Sequence, residues 1–95
     1  MPWQVRLSST AEKYYTRLAT QTRERIKNEL ESLSNLKNPL EHKSVKRLTG
    51  DLKGFCRLRN GKYRIVFAIL EETHTIAVVN IAPRGDGYKQ LDILV

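Results

Sequence analysis

Apolar and polar positions change their period several times along this chain, and each change marks an element. Trp3, Val5 and Leu7 alternate with Gln4 and Arg6, the period-two pattern of a short strand. Ser9-Thr10-Ala11-Glu12 has the spacing of a capping box, in which the Ser9 hydroxyl and the Glu12 carboxylate each satisfy a free backbone N–H at a helix start. The helix it opens carries Ala11, Tyr14 and Leu18 at helical spacing. Ala19-Thr20-Gln21-Thr22 offers polar caps for a second helix with the stripe Ile26, Leu30 and Leu33, while Arg23, Arg25, Lys27, Glu29 and Glu31 lie mostly off it. Asn38-Pro39 ends that helix, because proline disfavours the helical conformation in the residue before it. Residues 40–53 read as irregular, anchored by Val45 and Leu48 and broken by Gly50 and Gly54.

Residues 54–64 then show the strongest local signal in the chain, Asn60-Gly61 between two alternating runs, which predicts a two-residue hairpin turn of type I′. With that turn Arg59 lies opposite Lys62, Leu58 opposite Tyr63, Arg57 opposite Arg64 and Cys56 opposite Ile65. Arg57, Arg59, Lys62 and Arg64 therefore share one face, and Cys56, Leu58, Tyr63 and Ile65 the other. Like charges side by side repel unless something anionic lies over them, so this face calls for phosphate. Past Arg64 the strand over residues 62–70 is apolar on both sides and belongs in the sheet interior. Its Val66, Ala68 and Leu70 fall on the arginine face, an apolar strip left bare unless the tail at residues 91–95 or a partner packs on it. Glu71-Glu72-Thr73-His74 turns the chain into a last strand, residues 75–82, closed by Pro83.

Charge sharpens this picture. Of the net +7, all is contributed by residues 43–64, which hold eight basic residues against the single acid Asp51, while the rest of the chain balances. A localised basic patch is the footprint of a nucleic-acid binder, or of a face that docks an acidic protein. The 95 residues with 40% hydrophobic and 28% charged content suit one globular domain over 1–95, not a disordered chain. No apolar run reaches membrane-spanning length and the amino terminus lacks the apolar core of a signal peptide, so the expected location is cytoplasmic, away from membranes. The lone Cys56 has no cysteine to pair with in a disulfide or metal site and reads as a small core residue. Trp3 and Tyr63 read as core, and His42 and His74 as solvated loop residues.

The order strand, two helices, three antiparallel strands now combines with Leu-Lys-Gly-Phe at 52–55, Arg-Leu-Arg-Asn-Gly-Lys-Tyr-Arg-Ile-Val-Phe at 57–67 and Ile-Ala-Pro-Arg-Gly-Asp-Gly-Tyr at 81–88. Together these resemble the RelE/ParE toxin superfamily over nearly the whole chain. The resemblance implies an α+β fold, β-α-α-β-β-β, with a four-stranded antiparallel sheet and a two-helix hairpin on one face. It implies the toxin of a type II toxin–antitoxin pair, held by a cognate acidic, RelB-like antitoxin. In the RelE branch the toxin is an endoribonuclease that enters the ribosomal A site, cuts mRNA and stops translation without metal or cofactor. In the ParE branch the fold inhibits DNA gyrase and cuts nothing, and a basic domain that binds RNA or an acidic protein harmlessly is the third reading.

The positions matching the RelE catalytic set are Arg57, Arg64, Arg84 and Tyr88. Attack of a ribose 2′-OH on the adjacent phosphorus loads charge on the non-bridging oxygens, which the guanidinium forks of Arg64 and Arg84 suit. Arg57 would hold the flanking phosphate or assist the leaving 5′-oxygen. Tyr88 would stack on a base or, with its pKa lowered by the arginines, take the 2′-OH proton. Asp86 would orient Arg84 or itself act as base. Lys46, Arg47, Lys53, Arg59 and Lys62 are the further phosphate-binding candidates, and Val66, Ala68 and Leu70 those for the antitoxin. The RelE pattern has two lysines alternating before the hairpin where this chain has Phe55 and Arg57, and arginine keeps its proton too firmly to serve as a base.

Overall fold

The period-two and helical stripes fold into a sheet with helices over one face, and the computed structural model describes residues 2–83 of the chain. The elements are β1 (Gln4–Leu7), α1 (Ser9–Arg17), α2 (Thr20–Ser34), β2 (Val45–Arg47), β3 (Cys56–Asn60), β4 (Tyr63–Leu70) and β5 (Thr75–Pro83), with short 3₁₀ turns at Pro39–Glu41 and Gly50–Leu52. The α+β class is as expected, but the sheet has five strands in the order β1-β5-β4-β3-β2 rather than four. The added strand is β2, inside a segment expected to be irregular, and its three residues are too few to display an alternation. Nor is the sheet wholly antiparallel, since β1 runs parallel to β5 while the other neighbours are antiparallel. The helix pair returns the chain so that β1 covers the outer edge of β5, satisfying backbone groups that would otherwise stay open.

One face of the sheet carries Val45, Cys56, Leu58, Ile65, Phe67, Ile76, Val78 and Ile81, which form a single buried cluster with Ala11, Ile26, Leu30 and Leu33 of the helices. This is the face assigned to the core from the alternation, and Trp3 joins it. Burial pushes the Cys56 thiol above its usual range, against a smaller opposing pull from Arg47, so the sulfur is an inert packing group. His74 is exposed, yet its ring stacks on Trp3 at 3.9 Å between centroids and so ties the β4–β5 turn to the start of the chain. The expected apolar strip on the opposite face is graded: Val66 is wholly buried, Ala68 half-buried and Leu70 46% exposed.

Two local readings are corrected. The cap of α1 is Ser8, not Ser9: its side-chain oxygen accepts the Ala11 N–H at 3.1 Å, and Glu12 stands one position too late for a capping box. Ser8 is preferred because its hydroxyl and N–H also donate to the carbonyls of Val79 (3.1 Å) and Val78 (2.8 Å). Those carbonyls flank the β-bulge where Val66 pairs with Asn80 but Phe67 pairs with Val78. Ser8→Ala should therefore cost about 1–2 kcal/mol, the upper part of the range for a lost N-cap, read as a lower urea midpoint. The second helix ends at Ser34, four residues before Asn38, with Asn35 as its C-cap donating its side-chain amide to the Glu31 carbonyl at 3.0 Å, while Asn38 caps the following 3₁₀ turn by accepting the Leu40 N–H at 3.0 Å.

The hairpin register also differs. Asn60 pairs with Tyr63 and Arg59 with Arg64, so the turn residues are Gly61 and Lys62. Gly61 sits at φ +58° and Lys62 does not take positive φ, the arrangement of a II′ rather than a I′ turn. Asn60 is withdrawn from the turn by Arg25 of α2, whose Nε donates to its Oδ1 at 2.8 Å. Because the slip is two residues and the side-chain period is two, every residue that remains in a strand keeps its predicted face, and Lys62 alone leaves the arginine face for the turn.

Candidate phosphate-binding face

None of the five described strands contains an acidic residue, and the face away from the helices collects the cations. Cross-strand pairing builds it in two rows. Lys46 of β2 lies opposite Arg57 of β3, which lies opposite Val66. One step along, Arg59 lies opposite Arg64, which lies opposite Ala82. Strands are about 4.8 Å apart and same-face neighbours along a strand about 7 Å, so the four charges occupy a patch the size of a nucleotide step. Arg57 and Arg64 are half-buried, whereas Lys46 and Arg59 are exposed, which makes the first pair the more fixed.

Arg57 Nη1 reaches the Ser44 carbonyl at 3.5 Å, and Lys43, Ser44, Lys46, Arg57 and Arg59 line a shallow depression of about 180 Å³. Lys43 and Ser44 were not among the sequence candidates, although Lys43 lies within the basic segment. Arg25 was also missed: its guanidinium reaches the hairpin from α2 and would stand 3.1 Å from a Cβ at Gly61, a contact no local pattern announces.

The remaining phosphate-binding candidates do not join this patch. Arg47 lies opposite Cys56, on the core side of the sheet, and with Lys53 it borders a groove of about 780 Å³ that Trp3, Leu40 and Phe55 also line. Lys62 is in the turn at the hairpin tip. Arg84, Asp86 and Tyr88, together with the tail at residues 91–95, lie outside the described residues. His42 is not a solvated loop residue: its side chain is only 12% exposed and its Nε2 stands 3.1 Å from Glu29 Oε1. Among the described residues no three His, Cys, Asp or Glu side chains cluster as metal ligands, and no helix is long and apolar enough to cross a membrane.

Known proteins share this architecture. Residues 5–88 match the family of the ParE toxin of the type II toxin–antitoxin system parDE. Toxin RelE of Mycobacterium tuberculosis is 39% identical over 54 residues, a stretch covering 57% of this chain and about half, 54%, of that protein. The toxin–antitoxin complex RelBE2 of the same organism superposes with a TM-score of 0.75 at 24% identity, over 88% of this chain and 100% of the matched one. The archaeal RelE–RelB complex of Pyrococcus horikoshii gives 0.73 at 24% identity, over 90% and 98%. At that identity the solved structures establish the fold, and the family match over most of the chain establishes kinship: the chain belongs to the RelE/ParE superfamily of type II toxin–antitoxin toxins.

Proposed function

We propose that this toxin acts as a RelE-like, ribosome-dependent endoribonuclease whose cationic sheet face holds the backbone of mRNA in the A site. The observation that carries the reading is the pair of cross-strand rows Lys46–Arg57 and Arg59–Arg64 on strands free of acid. In the proposed reaction the 2′-oxygen attacks the adjacent phosphorus, its proton passes to a base, the bond to the 5′-oxygen breaks, and that oxygen takes up a proton. The products are a 2′,3′-cyclic phosphate and a 5′-hydroxyl. Arg64 and Arg84 stabilise the charge that develops on the non-bridging oxygens, Arg57 holds the flanking phosphate or the departing oxygen, and Tyr88 stacks on a base or takes the proton. Lys46, Arg59 and the hairpin-tip Lys62 add phosphate contacts, and Arg47 and Lys53, which border the separate groove, would meet RNA phosphate outside this patch. An acidic antitoxin would cover the arginines and contact Ala68 and Leu70, whose exposure grows toward the strand end. Relatives of this fold were solved in complex with RelB, which supports a partner of that kind.

A second reading is favoured by the family match to ParE: the same face inhibits DNA gyrase and cuts nothing. Inducing the chain in bacteria fed labelled amino acid and labelled thymidine separates the two. An early fall in protein synthesis with cleaved messages is expected. Loss of DNA synthesis alone would assign the gyrase reading, and unimpaired growth would remove both.

A further inference from the structure

Both main-chain groups of Ser44 are committed. Its carbonyl accepts the Arg59 backbone N–H at 3.2 Å and Arg57 Nη1 at 3.5 Å, while its N–H donates to His42 Nδ1 at 3.0 Å. The peptide that carries this carbonyl is gripped from its other side as well, since Val45 N–H donates to the His42 carbonyl at 3.0 Å. A backbone N–H can only donate, so Nδ1 presents its lone pair and the ring proton is on Nε2, directed at Glu29 Oε1 3.1 Å away on α2. The contact is thus a hydrogen bond from an imidazole to a carboxylate. The imidazole bridges two points that no local pattern links, the second helix and the strand that enters the cationic face.

We propose that His42 is a positioning residue for Arg57, acting through Ser44, a role that rests on Arg57 gripping phosphate as argued above. Among the described residues the Ser44 carbonyl is the one hydrogen-bond acceptor that Arg57 meets, and at 3.5 Å the bond is near the limit of its range. A small shift of Ser44 decides whether it forms. His42 removes that freedom: Glu29 sets the ring, the ring sets Ser44, and the guanidinium is held at one nitrogen with its other donors left for the ligand. A pre-oriented fork loses less rotamer freedom on binding than a free one. Histidine suits the position because one ring supplies an acceptor to the backbone and a donor to the carboxylate.

The test is a titration of the full chain against a short fluorescein-labelled single-stranded RNA across a potassium chloride series, followed by anisotropy. Arg57→Ala should make the slope of log affinity on log salt shallower by about 1, the loss of one phosphate contact. His42→Ala should shift the slope in the same direction and add nothing in the Arg57→Ala background, the non-additivity of residues acting as a unit. Asparagine places its Oδ1 where Nδ1 stood, so His42→Asn should recover the slope lost in His42→Ala. His42→Gln, which keeps only the reach toward Glu29, should not. The Asn and Gln pair keeps the comparison valid if the alanine variant unfolds. Wild-type slopes in both His42→Ala and His42→Gln, or losses that add to that of Arg57→Ala, would overturn the role of His42. An Arg57→Ala protein that binds like wild type would instead overturn the phosphate reading of the site, and this role with it.

Discussion

On the proposed reading, Arg64→Ala should lower message cleavage by about two to three orders of magnitude, the usual loss when one donor aimed at developing transition-state charge is removed. Arg64 is half-buried and directly opposite Arg59, so its guanidinium is held at the sheet surface instead of ranging through solvent. Lysine at this position keeps the charge but not the planar fork, so Arg64→Lys is expected to fall between alanine and wild type. Arg84→Ala should match Arg64→Ala in size, on the strength of the Arg-x-Asp-x-Tyr motif. Each variant is assayed for translation arrest and for reporter-mRNA cleavage on ribosomes, after circular dichroism has shown it folded. A folded Arg64→Ala protein that arrests translation like wild type excludes Arg64 from the chemistry. If cleavage falls a hundredfold while RNA affinity stays within a few-fold, the guanidinium acts in the transition state and not in holding the message.

Phe67→Ala is the largest stability loss expected from a single core substitution, about 3–5 kcal/mol. Phe67 is fully buried at the centre of β4, opposite Cys56 on one side and Val78 on the other, next to the bulge in β5. The two neighbouring strands, β3 and β5, and the helix layer fix the walls around it, so the space left by the ring cannot close by local collapse. Urea unfolding read by the single tryptophan measures the loss, since Trp3 is buried in the same cluster. An unchanged urea midpoint would mean that the ring contributes little to the core. Phe67→Leu, closer in volume, should recover most of the difference.

The cationic face is legible in the sequence because a strand's alternation depends only on parity. A turn misplaced by one step at each strand end shifts the register by two and returns each arginine to the same side. The two 3.6-period stripes are legible for a similar reason: Ile26, Leu30 and Leu33 repeat within one element and need no partner to be seen. β2 is not legible, since Val45-Lys46-Arg47 becomes a strand only by pairing with Cys56, Arg57 and Leu58. Arg47 is misplaced for the same reason, as its face follows from that pairing. The exchange of Ser9 for Ser8 as cap depends on a bulge in β5, seventy-one residues further along the chain.

From its sequence alone, then, this protein's two helices, every strand but β2, the two sides of its hairpin and the concentration of charge over residues 43–64 were determined, because each arises from periods and neighbours along a single segment. Only the tertiary structure decided that β1 runs parallel to β5, that Arg47 and Lys53 part from Arg57 and Arg64, and that His42 and Arg25 reach into the hairpin's surroundings. These depend on contacts between residues far apart in the chain, such as Arg25 with Asn60 or Glu29 with His42. Hydrogen bonds of that kind are chosen by which surfaces the buried core brings within about 3 Å, and no local pattern carries that information.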